Sequence, residues 1–193
     1  MIRDLRDDEL AAAGALAGAA FREDPGFSYI LPDDAARRLR LPSLLEALLR
    51  VDAAGGGRPR GAFDGDALVG VAASLPAGVE SADLVAWIRH LPSLLWLLAD
   101  PPALLRALAL LRAIEGLRPL NAGYLHVLAV HPATQGRGIG AALLRDALEG
   151  AGGALHLETF TRDNVAWYEK RGFKNRGEVV SGARPAFWTL RRG

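Results

Sequence analysis

Three glycines and an arginine fall within Gln135-Gly136-Arg137-Gly138-Ile139-Gly140, between a strand-like apolar run and an amphipathic stretch. Glycine lets the backbone approach an anion closely. The first amides of a following helix have no intrahelical partner and carry the positive end of its dipole. A loop of this kind holds a pyrophosphate, and Arg137 adds charge at its rim. Proton-transfer candidates flank the loop. His126 lies upstream, Glu158 ends the next apolar run, and Asn164 and Tyr168 stand four residues apart, on one face of a helix. Each also has a plainer reading: His126 as a core histidine satisfied by backbone, Tyr168 as a packed aromatic, Glu158 as a structural carboxylate.

The surrounding pattern supplies the elements that must position these groups. Tyr124–Val130 reads as a buried strand, with Tyr124, His126, Leu128 and Val130 on one face, and His131-Pro132-Ala133-Thr134 is a turn. Ile139, Leu143, Leu144, Ala147 and Leu148 form the apolar face of a helix. Residues 155–159 read as a second strand, followed by a helix from Asn164 that Gly172 ends as a left-handed cap and Phe173 pins. Trp167 is expected to point away from Tyr168, into the core.

Upstream, the pattern predicts a strand at 1–5, a helix over 8–21 and a loop at Asp24-Pro25-Gly26. A second helical region is capped by Asp33 or Asp34, carries apolar Leu39, Leu44, Leu45, Leu48 and Leu49, and has Pro42 as a break or new first turn. Strands at 60–63 and 67–75 meet at the Asp64-Gly65 hairpin turn. An extra helical block spans 81–117, and a hairpin over 178–180 and 186–190 closes the chain. Alternating helices and strands in this order give an α/β fold with a mixed sheet.

Two nucleotide-binding frames overlap on the loop. From Gly136 it reads Gly-x-Gly-x-x-Ala, with Glu158 spaced to hold a ribose, as in an NAD-dependent oxidoreductase. A proline-containing connector separates Val130 from the first glycine, however, and too few strands follow to complete that fold's parallel sheet. From Gln135 it reads Gln-x-x-Gly-x-Gly, which resembles the acyl-CoA signature of the GNAT superfamily of N-acetyltransferases. A second block corroborates this: Leu155-His156-Leu157-Glu158-Thr159, then Asn164-Val165-Ala166-Trp167-Tyr168-Glu169-Lys170-Arg171-Gly172-Phe173, resembles the family's next strand and helix. The resemblance covers 124–190 well and the N-terminal half loosely. The closing part is also similar to the branch that includes puromycin acetyltransferase.

The resemblance implies a mostly antiparallel central sheet flanked by helices, with residues 1–193 as one domain and 81–117 as a helical insertion before the central strand. It implies acetyl-CoA as co-substrate, held by backbone at Leu128, Ala129 and Val130, by Gln135, Gly136, Arg137, Gly138, Ile139 and Gly140, and by Asn164. It also implies direct acetyl transfer from the thioester to a primary amine of a small molecule, with Tyr168 protonating the leaving thiolate. An alkyl amine is only about 0.1% deprotonated at neutral pH, so a base or water relay is useful, and His126 is the best placed. The alternative class is a non-catalytic acyl-CoA-binding or regulatory domain.

Composition bounds what remains. At 193 residues with 50% hydrophobic and 23% charged content, the chain can bury a real core. A net charge of +1 carries no nucleic-acid footprint, and the pairs Arg37-Arg38 and Arg191-Arg192 are expected on the solvated surface. The lack of cysteine removes disulfides, thiolate metal sites and a cysteinyl acyl-enzyme, and the four histidines show no zinc spacing, so no metal is expected. The charged N-terminus lacks a signal-peptide run, and prolines and charges interrupt the apolar stretch from Leu91 to Leu111. A cytoplasmic protein without membrane contact is the expectation, and an exposed apolar helical face suits a homodimer.

Overall fold

The computed structural model describes residues 1–79, 91–180, 182 and 184–193. Its elements are β1 (Ile2–Asp4), α1 (Leu10–Ala20), α2 (Pro25–Ile30), α3 (Asp34–Ala54), β2 (Arg58–Asp64), β3 (Ala67–Leu75), α4 (Leu91–Leu98), α5 (Pro101–Glu115), β4 (Gly123–Val130), α6 (Ile139–Gly150), β5 (Leu155–Thr159), α7 (Arg162–Glu169), β6 (Lys174–Val179) and β7 (Phe187–Arg192). The seven strands form one sheet in the order β1-β2-β3-β4-β5-β7-β6, antiparallel except between β4 and β5. The mixed, mostly antiparallel sheet is thus the expected one.

Two apolar layers sandwich this sheet. On one face Leu10, Leu16, Leu41, Leu45 and Leu49 of α1 and α3 pack on Val71, Ala73, Val127 and Ala129. On the other, Leu143, Leu144 and Leu148 of α6 pack with Leu125, Leu157, Tyr168 and Phe173. The α1–α3 contact is close because Gly14 and Gly18 face Pro42: a Cβ on Gly14 would meet the Pro42 carbonyl at 2.7 Å, and one on Gly18 its Cγ at 3.0 Å. Pro42 does not end the helix. It lies inside a continuous α3 of 21 residues, capped by Asp33 through the Ala36 amide.

Several expectations need correction. Asp24-Pro25-Gly26 is not a loop: Asp24 caps α2 by accepting from the Gly26 and Phe27 amides, with proline at the first turn where its missing N–H costs nothing. Leu39 is solvent-exposed, and Leu41 takes its place in the core. Arg37 is buried rather than solvated, donating to the carbonyls of Arg22, Leu31 and Pro32 and so fastening the α2–α3 corner. Of the helical block expected over 81–117, residues 81–90 lie outside the described residues, and the rest holds α4 and α5, which pack through Trp96, Leu97, Ala103 and Leu110 on Ile30 and Leu31. Trp87 lies outside the described residues.

Candidate active site

The parallel strands β4 and β5 pair only at Gly123–Leu155 and Tyr124–His156, then part. Beyond Tyr124 the β5-facing edge of β4 is therefore released from the ladder, and its backbone groups are free for other partners. Against β3, the pairs Ala73–Val127 and Ser74–Leu125 are consecutive on one strand and two apart on the other, so His126 is the extra residue of a β-bulge. The bulge breaks the expected alternation: Leu125 and Leu128 pack with the α6 cluster, whereas Val127 and Ala129 pack with α1 and α3 and His126 reaches Asp52 of α3, so Tyr124, His126, Leu128 and Val130 do not all share one face.

A groove of about 540 Å³ opens from the released edge and is lined by Leu128, Val130, Gln135, Gly136, Gly138, Ile139, Gly140, Ala141, Asn164, Trp167, Tyr168 and Arg171. Gly136 and Gly138 have φ of 78° and 81°, and a Cβ on either would meet nothing within 4 Å, so both face open space. Left-handed Gly138 is the N-cap of α6, which leaves the first amides of a twelve-residue helix at the groove. The Gln135 side chain donates through Nε2 to the Val130 carbonyl at 3.2 Å, tying the loop to the strand end. These features fit a pyrophosphate.

Arg137 departs from the expectation. It pairs with Asp64 of the β2–β3 turn at 3.1 Å and does not line the groove. The groove's cation is Arg171, whose guanidinium lies 3.6 Å from the centre of the Trp167 ring and donates to the Trp167 carbonyl. Trp167 likewise is half-buried and walls the groove rather than only filling the core.

A second cavity of about 230 Å³ lies on the other side of Tyr168, and Leu128, Asn164 and Tyr168 line both. Tyr168 is buried, edge-on to Trp167 and Phe173, and burial holds its phenol well above the ordinary value, hence protonated. Asn164 donates to the Thr159 hydroxyl at 3.0 Å. His126 Nδ1 lies 3.0 Å from a carboxylate oxygen of Asp52, which is 2% exposed near the end of α3. Burial alone would lower the His126 pKa. The Asp52 charge and hydrogen bond, then Glu158 and Glu115, outweigh it and raise the pKa above the usual imidazole value.

Glu158 is bound to His156 Nε2 at 2.7 Å, both side chains being 4% exposed. Its carboxylate also acts on Tyr124, whose phenol is raised first by burial and then by that charge. Sequence reasoning missed Asp52 because it stands 74 positions from His126. A buried carboxylate in an otherwise apolar helix end was its one visible signal. Among the described residues no group of three histidines or acids could hold a metal, and no helix is long and apolar enough to cross a membrane.

Comparison with known proteins agrees with this geometry. Residues 104–175 match the acetyltransferase (GNAT) domain. A histone acetyltransferase HPA2 and related acetyltransferase from Corynebacterium glutamicum shares the fold with a TM-score of 0.69 at 20% identity, covering 98% of this chain and 94% of that one. The PaiA N-acetyltransferase of Thermoplasma acidophilum, crystallised with coenzyme A, superposes at 0.59 with 16% identity over 100% and 98% of the two chains. A ribosomal-protein-alanine N-acetyltransferase from Brucella melitensis does so at 0.57, also with 16% identity and the same coverage. Curated protein sequences gave no match. Signature loop, matched segment and whole-chain fold agree: residues 104–175 are similar to the acetyltransferase (GNAT) domain, and the chain as a whole has the fold of these acetyltransferases.

Proposed function

We propose that this chain, acting as one catalytic domain, moves an acetyl group directly from acetyl-CoA to the primary amine of a small molecule. One observation carries the reading: the phosphate-type groove and the second cavity share Leu128, Asn164 and Tyr168, so a thioester from one side and an amine from the other meet there. Gln135, Gly136, Gly138, Ile139 and Gly140 would hold the pyrophosphate. The released backbone at Leu128, Ala129 and Val130 would hold the pantetheine arm and polarise the acetyl carbonyl.

His126 takes the proton from the ammonium, directly or through water, with Asp52 orienting the ring and stabilising its charge. As the amine nitrogen bonds to the acetyl carbon and the carbon–sulfur bond breaks, the Tyr168 hydroxyl donates to the sulfur. The second proton that the nitrogen sheds in becoming an amide passes through water to restore the Tyr168 hydroxyl. Because burial keeps Tyr168 protonated, it supplies a hydrogen bond early and yields its proton only as negative charge develops. The exposed leucines of α4 and α5, Leu95, Leu98 and Leu105, are the face on which a homodimer would form.

Purified protein supplied with acetyl-CoA and a panel of amines should release free thiol in proportion to acetylated amine. Tight CoA binding without thiol release for any amine would instead mark a non-catalytic acyl-CoA-binding domain.

A further inference from the structure

The cavity behind His126 is walled by apolar side chains from four helices, among them Phe21 beside α1, Phe27 of α2, Leu44 and Leu48 of α3, and Leu110 and Ile114 of α5. The ionisable side chains that line it are Asp24, Tyr124, His126, Glu158 and Tyr168, and no lysine or arginine lines it among the described residues. Resting on the acetyl-transfer reading above, we infer that the acceptor is a monoamine on an apolar or aromatic arm, without a carboxylate and without a polyhydroxylated body.

Charge favours this class. An ammonium group entering the cavity meets the Glu158 and Asp24 carboxylates and the Asp52-backed imidazole, so it exchanges water for opposite charge. A carboxylate on the same molecule would be desolvated against acids and leucines with no cation facing it. Hydroxyls of an amino sugar, or backbone amides of a peptide, would outnumber the polar groups near Asp24, His126 and Glu158, and the rest would lose their water against Leu44, Leu48 and Leu110.

Size favours it too. An apolar cavity of roughly 150 Å³ holds benzene. The volume here, about 230 Å³, takes one ring and a short alkyl arm that reaches the junction at Tyr168.

One group opposes the inference. Arg118 lies over the Tyr124 ring with its carbon 4.6 Å from the centroid and donates to the Val79 carbonyl, but its Nε and Nη1 are buried without an acceptor. If the Tyr124 ring moved, those nitrogens would receive a carboxylate. The comparison that decides is therefore between two ligands that differ only in that group.

Calorimetry on the full chain with CoA present should find 2-phenylethylamine bound at least ~100-fold more tightly than phenylalanine, and more tightly than an aminoglycoside or an alanine-terminated peptide. Equal or tighter binding of phenylalanine would overturn the inference in favour of Arg118, and tighter binding of the aminoglycoside or peptide would overturn it outright. Leu111, which lines the cavity while 40% exposed, provides a variant that should still fold. Leu111→Lys should narrow the gap between the two ligands about tenfold, and an unchanged gap would remove the cavity from acceptor binding. Thiol release measured in parallel separates the two readings. The expected binding order without turnover sinks acetyl transfer and leaves the inference standing, whereas turnover of peptides or aminoglycosides alone does the reverse.

Discussion

Where the groove beside Gln135–Gly140 presents glycines and helix-start amides, the cavity behind His126 presents side chains from α2, α3, α5 and α7 together with β4 and β5. The two share Tyr168 but are made of different material. Backbone geometry fixes what the groove can hold, and few side chains there can change it. Side chains fix what the cavity can hold, and those that its helices supply can be exchanged without touching the sheet. A fold built this way can keep one donor while its acceptor is retuned. The separation has testable consequences, since changes on one side should leave the other side's binding intact.

The largest effect is expected from Gly138→Asp. A left-handed φ costs a non-glycine residue about 1–2 kcal/mol, with aspartate among the better tolerated, and its carboxylate would face the phosphates at the head of α6. Affinity for CoA should fall by more than ~100-fold while the cavity's amine still binds. Calorimetry with each ligand separately checks this, and an unchanged CoA affinity would take the loop out of the donor site.

Tyr168→Phe acts where groove and cavity join. The ring keeps its edge-on packing with Trp167 and Phe173, so only the hydroxyl is lost. Turnover should drop on the order of 100-fold with both affinities nearly unchanged. Single-turnover rates equal to those of the parent protein would contradict proton donation by this group.

Much of the groove was legible in the sequence because its requirements are local. Glycines at 136 and 138, a proline turn and a heptad-like helix face lie within twenty residues and admit few conformations. What was not legible depended on distant partners. Arg137 looked like the groove's cation, yet Asp64, 73 positions away, draws it aside, and Arg171 on the following helix end takes that position. The β-bulge at His126 arises from register with β3 and leaves no mark on β4 itself. The cavity is the extreme case: its walls come from helices separated by strands, and Asp24 reads as part of a loop until Phe27 and Gly26 are seen to be capped by it.

The Asp52–His126 pair yields a smaller, pH-dependent effect. His126 must be neutral to accept a proton, and its raised pKa puts the rising limb of activity above the ordinary value of about 6.5. Asp52→Asn removes the largest influence raising that pKa, so the limb should move to lower pH, while His126→Gln should erase it. Loss of rate in Asp52→Asn should be about tenfold, because the imidazole remains and only its orientation and charge balance change. Stability follows the same sign. A pKa raised on folding contributes fully below about 6.5 and is lost as pH rises through the folded value, so the parent's advantage over Asp52→Asn should shrink in that direction. A limb that stays in place in both variants would assign the proton to Glu158 or to water.

The smallest effect tests whether α4 belongs to the cavity or only supports it. Trp96 does not line the cavity; it is half-buried against the cluster that includes Ile30, Ala103 and Leu110, with the Arg40 guanidinium 5.2 Å from its ring centre. Trp96→Ala should cost about 3 kcal/mol of stability. It should raise the acceptor's KM only several-fold, through loss of backing behind Leu110, and leave that of acetyl-CoA unchanged. Trp96→Phe is the sharper variant. The indole Nε1 is buried with no hydrogen-bond partner, so the parent protein already carries the penalty of an unsatisfied donor, about 1–3 kcal/mol. Phenylalanine removes that donor and gives up part of the ring's packing, two changes of opposite sign that should leave stability within about 1 kcal/mol of the parent. Urea unfolding measures the difference. A loss well beyond that with both KM values unmoved would mean that the indole nitrogen has a partner in solution. A large rise in the acceptor's KM would instead make α4 part of the cavity wall and erase the boundary between lining and support.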